Sequence, residues 1–370
     1  MNDSPFQRSL WPRLILAAVA GIMGLALALV AQSALTLSGL DRLILEGDSD
    51  FSRRYIDPTP IRFDPELGWA PIPGFHGRID SGGMVTMVTN NGLGFRSSEL
   101  DPNRDKIVIL GDSVAWGWGG ADRDSFPSRL QEKLAGTPLQ VVNMAVPGYG
   151  PDQEYLWLKR KWASLPGRRK VKMVVLVICA FNDLQDVSIP FNEGRISPHY
   201  RLLHDGRMVL TSASVRKYGL TNLLCASVIP EKWKQRLLRA ANPPLDDADG
   251  KIVTERLLRQ MQSLAEASGA RFAVVLSPWE GNFQGPRWPR WPEFREQQFV
   301  YDWFRQMLAN QPFSSLDYKS IMSQKQAPLD CYLGDGVHYN AAGNELLART
   351  VHERLVSPQA AVSHRGLINF

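Results

Sequence analysis

Short apolar runs recur along this chain, each followed by a helical pattern, and that alternation leaves few folds open to it. Lys106-Ile107-Val108-Ile109-Leu110 ends at Gly111, and similar runs span Leu139 to Val142, Met173 to Ile178 and Phe272 to Leu276. Runs this uniformly apolar suit strands covered on both faces. Between them, Phe126, Leu130 and Leu134 recur at helical spacing, with Gly136 where a helix would stop. Tyr155, Leu158, Trp162 and Leu165 share one face of a second helix, for which Asp152 is the expected cap. Val253, Leu257, Met261 and Leu264 mark a third helix, and Leu347, Val351 and Leu355 a last one from about Ala341. Strand and helix in alternation predict a three-layer α/β/α domain with a mostly parallel sheet. In such sheets ligands bind outside the carboxyl ends of the strands, so the residues just after each run matter most.

Before this rhythm begins, Leu14 to Leu37 is apolar except for Gln32, Ser33 and Thr36. That is about the length of a helix that crosses a bilayer. Arg8 and Arg13 precede it, which favours residues 1–13 in the cytoplasm and the remainder outside. A cleaved signal peptide, with secretion, is the rival, because Ala31-Gln32-Ser33 loosely fits a cleavage site. The run is longer than a signal core, so an uncleaved anchor over 14–37 is the expectation, with the domain that follows on the periplasmic side. Residues 38–104 then read as a stalk and a small β-rich lead-in, from the alternation in Met84-Val85-Thr86-Met87-Val88-Thr89 and frequent Pro and Gly. The strand–helix rhythm covers 105–356, with 184–250 as a cap-like insertion and 357–370 as a tail.

Composition excludes more than it assigns. The net charge of +5 is dispersed, and Arg168-Arg169-Lys170 is a short run without interleaved aromatics, so nucleic acid is not an expected partner. Three cysteines, Cys179, Cys225 and Cys331, make neither a disulfide framework nor a metal spacing, though outside the cytoplasm a Cys225–Cys331 bridge stays open. No metal or organic cofactor is implied.

Four features fall at the predicted strand ends. Gly111-Asp112-Ser113 follows the first run; such a triplet arises by chance in about one chain in ten of this length, and Ser is also an ordinary helix cap. Its flanks do not form Gly-x-Ser-x-Gly, which argues against an α/β-hydrolase elbow. Pro147-Gly148 follows the second run, where a glycine lets backbone approach a substrate, or simply turns the chain. Asn182-Asp183 follows the third, with Asn182 either an amide donor or a loop start. Gly334-Asp335-Gly336-Val337-His338 precedes the last helix and decides the reading. A serine nucleophile needs a base, and the base needs an orienting carboxylate. Asp335 and His338 supply both from one segment, and none of the other five histidines lies in a comparable setting.

In that order, Gly-Asp-Ser, Gly, Asn-Asp and Asp-x-x-His, the chain resembles the SGNH hydrolase superfamily, also called GDSL. The resemblance spans about 105–356 and implies a flavodoxin-like fold with a five-stranded sheet. It implies Ser113 as nucleophile, His338 as base and Asp335 as the residue that fixes the histidine tautomer. The oxyanion hole would combine the Ser113 and Gly148 N–H groups with the Asn182 side chain. One departure is Ala180 where the family's third block usually has Gly. Asp112 and Asp183 are expected to brace loops.

Trp116, Trp118 and Trp279 are candidate walls of a substrate pocket, against the plainer reading of packing aromatics. Trp288, Trp291 and Phe294 extend the Trp279 group through a Pro-rich loop. The expected reaction is hydrolysis of acyl esters, acetyl foremost, on a cell-envelope or exported glycan. Acyl transfer to a sugar hydroxyl on the same fold, a lipid esterase and a non-catalytic glycan-binding or scaffold protein stand as alternatives. Nothing in the sequence names a protein partner.

Overall fold

The computed structural model describes residues 14–24, 26–27, 60–64, 66–81, 84–189, 191–192, 195–212, 244–283, 297–325 and 328–357. Its centre is a sheet of β5 (Asp105–Gly111), β6 (Leu139–Asn143), β7 (Val171–Cys179), β12 (Arg271–Ser277) and β13 (Ser314–Asp317). The order across the sheet is β13-β12-β7-β5-β6, and every pairing is parallel. Seven consecutive β7 residues pair with β12, and the middle of both strands is buried on both faces. This is why the runs lack alternation: no face of a central strand meets water.

Right-handed crossovers, the rule for parallel strands, place helices on both faces of such a sheet. From β5 the chain steps outward to β6 through α1 (Ser113–Trp116) and α2 (Phe126–Lys133), then returns past β5 to β7 through α3 (Pro151–Trp162). Reversing direction puts the connecting helices on opposite faces. Accordingly α2 packs with α8 (Ala341–Val351), while α3 packs with α5 (Asp247–Glu266) and α4 (Asp183–Ser188). The reversal between β5 and β7 opens a crevice at their carboxyl ends, where this strand order binds ligands. Ser113 follows one of those strands and Asn182 the other.

Three details differ from the sequence reading. Asp152 is not the cap of α3: Gly150 holds that position and Asp152 lies buried inside the first turn. The strand β13 and the helix α6 (Gln297–Ala309) escaped the pattern. Ser314-Ser315-Leu316-Asp317 is an edge strand, partly exposed, so it needs no apolar run.

The lead-in forms two antiparallel hairpins, β1 (Ile61–Asp64) with β2 (Gly68–Pro71) and β3 (His76–Ser81) with β4 (Met84–Thr89). Leu67, Trp69, Ile79 and Phe95 join the same apolar core as the central sheet. In the insertion, β10 (His199–Leu202) and β11 (Met208–Ser212) form a hairpin against α4 and α5. Of the expected anchor, residues 14–24 and 26–27 are helical, with apolar side chains such as Leu16 and Ile22 exposed. Among the described residues no helix is long and apolar enough to cross a membrane. The stalk, Cys225, Trp288, Trp291, Phe294 and the 357–370 tail beyond Ser357 lie outside the described residues. Cys179 and Cys331 are buried free thiols.

Candidate active site

At the end of β5 the chain must turn from strand to helix within two residues. Gly111 takes φ 142°, and a Cβ there would lie 2.6 Å from Ala115 Cβ and 2.8 Å from the Val177 carbonyl oxygen. Only glycine fits. Asp112 then caps α1, its Oδ1 accepting the Val114 N–H at 2.9 Å. Ser113 is thereby the first residue of a one-turn helix at the crevice, with its hydroxyl facing the last loop of the domain.

That loop brings the partners. His338 Nε2 lies 2.7 Å from Ser113 Oγ, and His338 Nδ1 lies 2.6 Å from Asp335 Oδ2. The other Asp335 oxygen accepts the Val337 and His338 N–H groups, both at 3.0 Å. Burial alone would raise the Asp335 pKa, but the bond to His338, its charge and the two N–H groups outweigh it and hold the carboxyl at about 2. It is therefore an anion at neutral pH. The loop is tied down on both sides of the histidine. Tyr332 and Tyr339 donate their hydroxyls to the Pro278 carbonyl just past β12, at 2.8 and 3.0 Å. Asn340 caps α8 and donates to the Asp330 and Tyr332 carbonyls.

Across the crevice, Gly148 adopts φ 76° in the loop after β6. Among the described hydrogen bonds, none uses the backbone N–H of Ser113 or of Gly148. Asn182 follows β7, and its Nδ2 donates to Asp186 Oδ2 at 2.6 Å, one turn along α4. The buried Asp112 carboxyl also meets the Asn182 amide and feels the charge of His338. Asp183 braces the loop as expected, accepting the Cys179 N–H at 2.8 Å. Ala180 fits without displacing it; its N–H donates to the Ser277 carbonyl at 3.2 Å.

Behind these residues lies a cluster of five buried carboxyls: Asp112, Asp152, Glu154, Asp183 and Asp186. Burial, followed by repulsion from neighbouring carboxylates, pushes Glu154 and Asp183 well above the usual acid range. Burial raises Asp112 too, and takes Asp152 up to about 7. Like charges so close and so dry cannot all ionise, and the cluster shares protons at neutral pH. Among the described residues, no group of His, Cys, Asp or Glu is arranged to hold a metal ion.

All three tryptophans are buried, none an open wall of a pocket. Trp118 is beside the His338 ring, with centroids 6.0 Å apart. Trp116, only 3% exposed, lies beneath the Arg96 guanidinium and not on an open wall. Trp279 packs edge-on against Phe181 of the Asn182 loop at 5.5 Å. Two neighbours of the site went unread in the sequence. Asp186 stands four residues after Asn182 on a helix and was legible as an i,i+4 partner. Arg96 lies in the lead-in and carried no signal.

A model of the GDSL-like lipase/acylhydrolase family matches residues 109–346. No curated protein matches the chain. Among solved structures, a lipase, Lip_vut3, from a goat rumen metagenome is 12% identical, covering 69% of this chain and 99% of that one at TM-score 0.41. The lipase/acylhydrolase from Enterococcus faecalis is 15% identical, covering 68% and 96% at TM-score 0.38. The psychrotrophic esterase EstA from a Pseudoalteromonas species is 11% identical, covering 67% and 95% at TM-score 0.37.

Proposed function

Since the chain belongs to the GDSL-like lipase/acylhydrolase family and is an ester hydrolase by that membership, we propose that Ser113 attacks the acyl carbonyl of its substrate, with His338 and Asp335 as base and orienting carboxylate. The observation that carries this reading is the continuous chain from Ser113 Oγ to His338 Nε2 at 2.7 Å and from His338 Nδ1 to Asp335 Oδ2 at 2.6 Å. As Oγ bonds to the carbonyl carbon, its proton passes to Nε2, while ionised Asp335 stabilises the imidazolium. The oxyanion meets the N–H groups of Ser113 and Gly148 and the Asn182 amide. One Nδ2 hydrogen of Asn182 is held by Asp186; the other, which faces Asp112 at rest, is the donor to the oxyanion. The imidazolium then protonates the leaving alcohol. Water, deprotonated by His338, cleaves the acyl-Ser113 ester and returns the hydroxyl.

The preferred substrate is an acetyl ester on an envelope or exported glycan. The apolar run over 14–37 supports a domain anchored outside the cytoplasm, and the buried Trp118 ring beside His338 gives the site an apolar backing that suits a small acyl group. Detergent-solubilised full-length protein is treated with a fluorophosphonate and the adduct mapped, then acetate release from an acetylated glycan is followed with and without free glycan acceptor. Labelling at Ser113 with release in water alone is the expected result. An unlabelled Ser113 overturns the reading, and release that requires the acceptor replaces hydrolysis with acyl transfer.

A further inference from the structure

Helix α1 holds the nucleophile, yet it is only one turn long. A single turn does not sustain itself, and its last carbonyls have no partners within the helix. Something outside must fix it. The structure assigns that task to Arg96, which lies in the lead-in, upstream of the 109–346 stretch that the family shares.

The guanidinium is nearly sealed from water, with the side chain 1% exposed. Its Nη1 donates to the carbonyls of Trp116 at 3.2 Å and Gly117 at 2.8 Å, and Nη2 donates to the Gly120 carbonyl at 2.7 Å. Nε donates to Asp122 Oδ1 at 2.7 Å, which supplies the counter-charge. The same group lies over the Trp116 indole, 4.2 Å from the ring centre. Three carbonyls of the stretch after the nucleophile thus converge on one planar fork, a geometry that lysine's point charge cannot reproduce. Gly117 leaves no slack: a Cβ there would lie 2.5 Å from Ser125 Cβ and 3.5 Å from Arg96 Nη1.

Arg96 reaches both reacting side chains through what it holds. Along the main chain, Trp116 is three residues from Ser113, and the Trp118 N–H returns to the Ser113 carbonyl at 3.0 Å. Through rings, Trp116 contacts Trp118 at 6.1 Å and Trp118 contacts His338 at 6.0 Å. Arg96 itself touches neither Ser113 nor His338 and is a positioning residue: it sets the 2.7 Å approach between them. The lead-in treats the Gly148 loop in the same way, since Trp69 Nε1 donates to the Pro147 carbonyl at 3.1 Å and Tyr149 Oη donates to the Trp69 carbonyl at 2.6 Å. The segment ahead of the family domain is therefore part of the machinery, and a domain trimmed at residue 105 would lose it.

This inference rests on Ser113 being the nucleophile, and its test separates the two. Full-length wild type, Arg96→Lys and Asp122→Asn are compared for fluorophosphonate labelling rate at Ser113, for kcat and KM on p-nitrophenyl acetate, and for thermal unfolding. Misplacement by about 1 Å costs on the order of 10²-fold. Arg96→Lys should therefore lose about 10- to 100-fold in kcat and labelling rate with KM changed less than about threefold. Asp122→Asn should lose less, in the same split. Arg96→Ala should recover part of its labelling rate when millimolar methylguanidinium fills the vacated site, which a merely structural role does not predict. If wild type labels and Arg96→Lys labels equally fast, Arg96 has no positioning role. A loss in rate that only tracks the folded fraction also overturns it. If wild type itself does not label, the fault is in the assignment of Ser113, and this inference falls with it.

Discussion

The turn that carries Ser113 and the loop that carries His338 both hold a polar side chain at the edge of the sheet, but they do so by different physics. Ser113 stands on packed backbone: a glycine with no room for a Cβ, a buried Asp112 cap and a buried guanidinium beneath the helix end. His338 stands nearer the rim, held by tyrosine hydroxyls and by Asp335, whose side chain is 44% exposed. Geometry governs the first side, so changes of volume or donor there should act as misplacements. Charge governs the second, so protonation and isosteric amides should be felt there most.

The largest effects should come where the two sides meet. Ser113→Ala and His338→Ala should each lower esterase turnover by on the order of 10⁴- to 10⁶-fold, the scale seen when a nucleophile or its base is removed. Neither should label with the fluorophosphonate at the wild-type rate. A residual rate within tenfold of wild type would mean that the two do not act as a unit.

On the rim side, Asp335→Asn keeps the shape and removes the charge, and should cost roughly 10³-fold in kcat. The pH sense follows from the depressed carboxyl. With a folded value of about 2 against an ordinary 3.8, its contribution to stability is whole above pH 4 and is lost as pH falls through 2. The unfolding gap between wild type and Asp335→Asn should close over that window. A gap unchanged from pH 6 down to 2 would remove the charge from the account.

On the crevice side, Asn182→Ala should cost ~10²- to 10³-fold in kcat, the usual loss for one oxyanion donor. Asp186→Ala leaves the donor but frees its amide, and should cost about tenfold, inside the penalty of a small misplacement. Steady-state kinetics on the single and double variants check this. If the losses simply multiply, Asp186 does not work through Asn182.

The smallest change lies deepest. Asp152 titrates at about 7 when folded against 3.8 ordinarily, so between those values the folded protein keeps a proton that the unfolded chain has released. Stability is then full below about pH 4 and declines as pH rises toward 7. Asp152→Asn should raise the melting temperature at pH 8 by a few degrees, at ~2–4 °C per kcal/mol, and leave it unchanged at pH 4. Equal shifts at both pH values would show that titration is not the cause.

The distance between what was readable and what was not follows burial and sequence separation. The central strands were legible because burial on both faces demands unbroken apolar runs, whereas β13 at the edge has no such demand. The sequence predicts Asp152 as a cap because an acid near a helix start is a cap in most settings; here Gly150 takes that position and the carboxyl goes inside. Trp116 and Trp118, two residues apart, share one sequence signal and are both buried, yet one packs under Arg96 and the other against His338.

By itself, the order of residues determined the layered fold, the crevice at the strand ends and the four blocks that converge there. Such signals are local, written within a few residues of each strand end and repeated in register with the fold. Only the tertiary structure decided how Ser113 is held. Arg96 acts on carbonyls of Trp116, Gly117 and Gly120, at least 20 residues along the chain, and Asp112, Glu154, Asp183 and Asp186 repel one another across three elements. Those interactions depend on distances and on the exclusion of water, and neither exists until the sheet and its helices have closed.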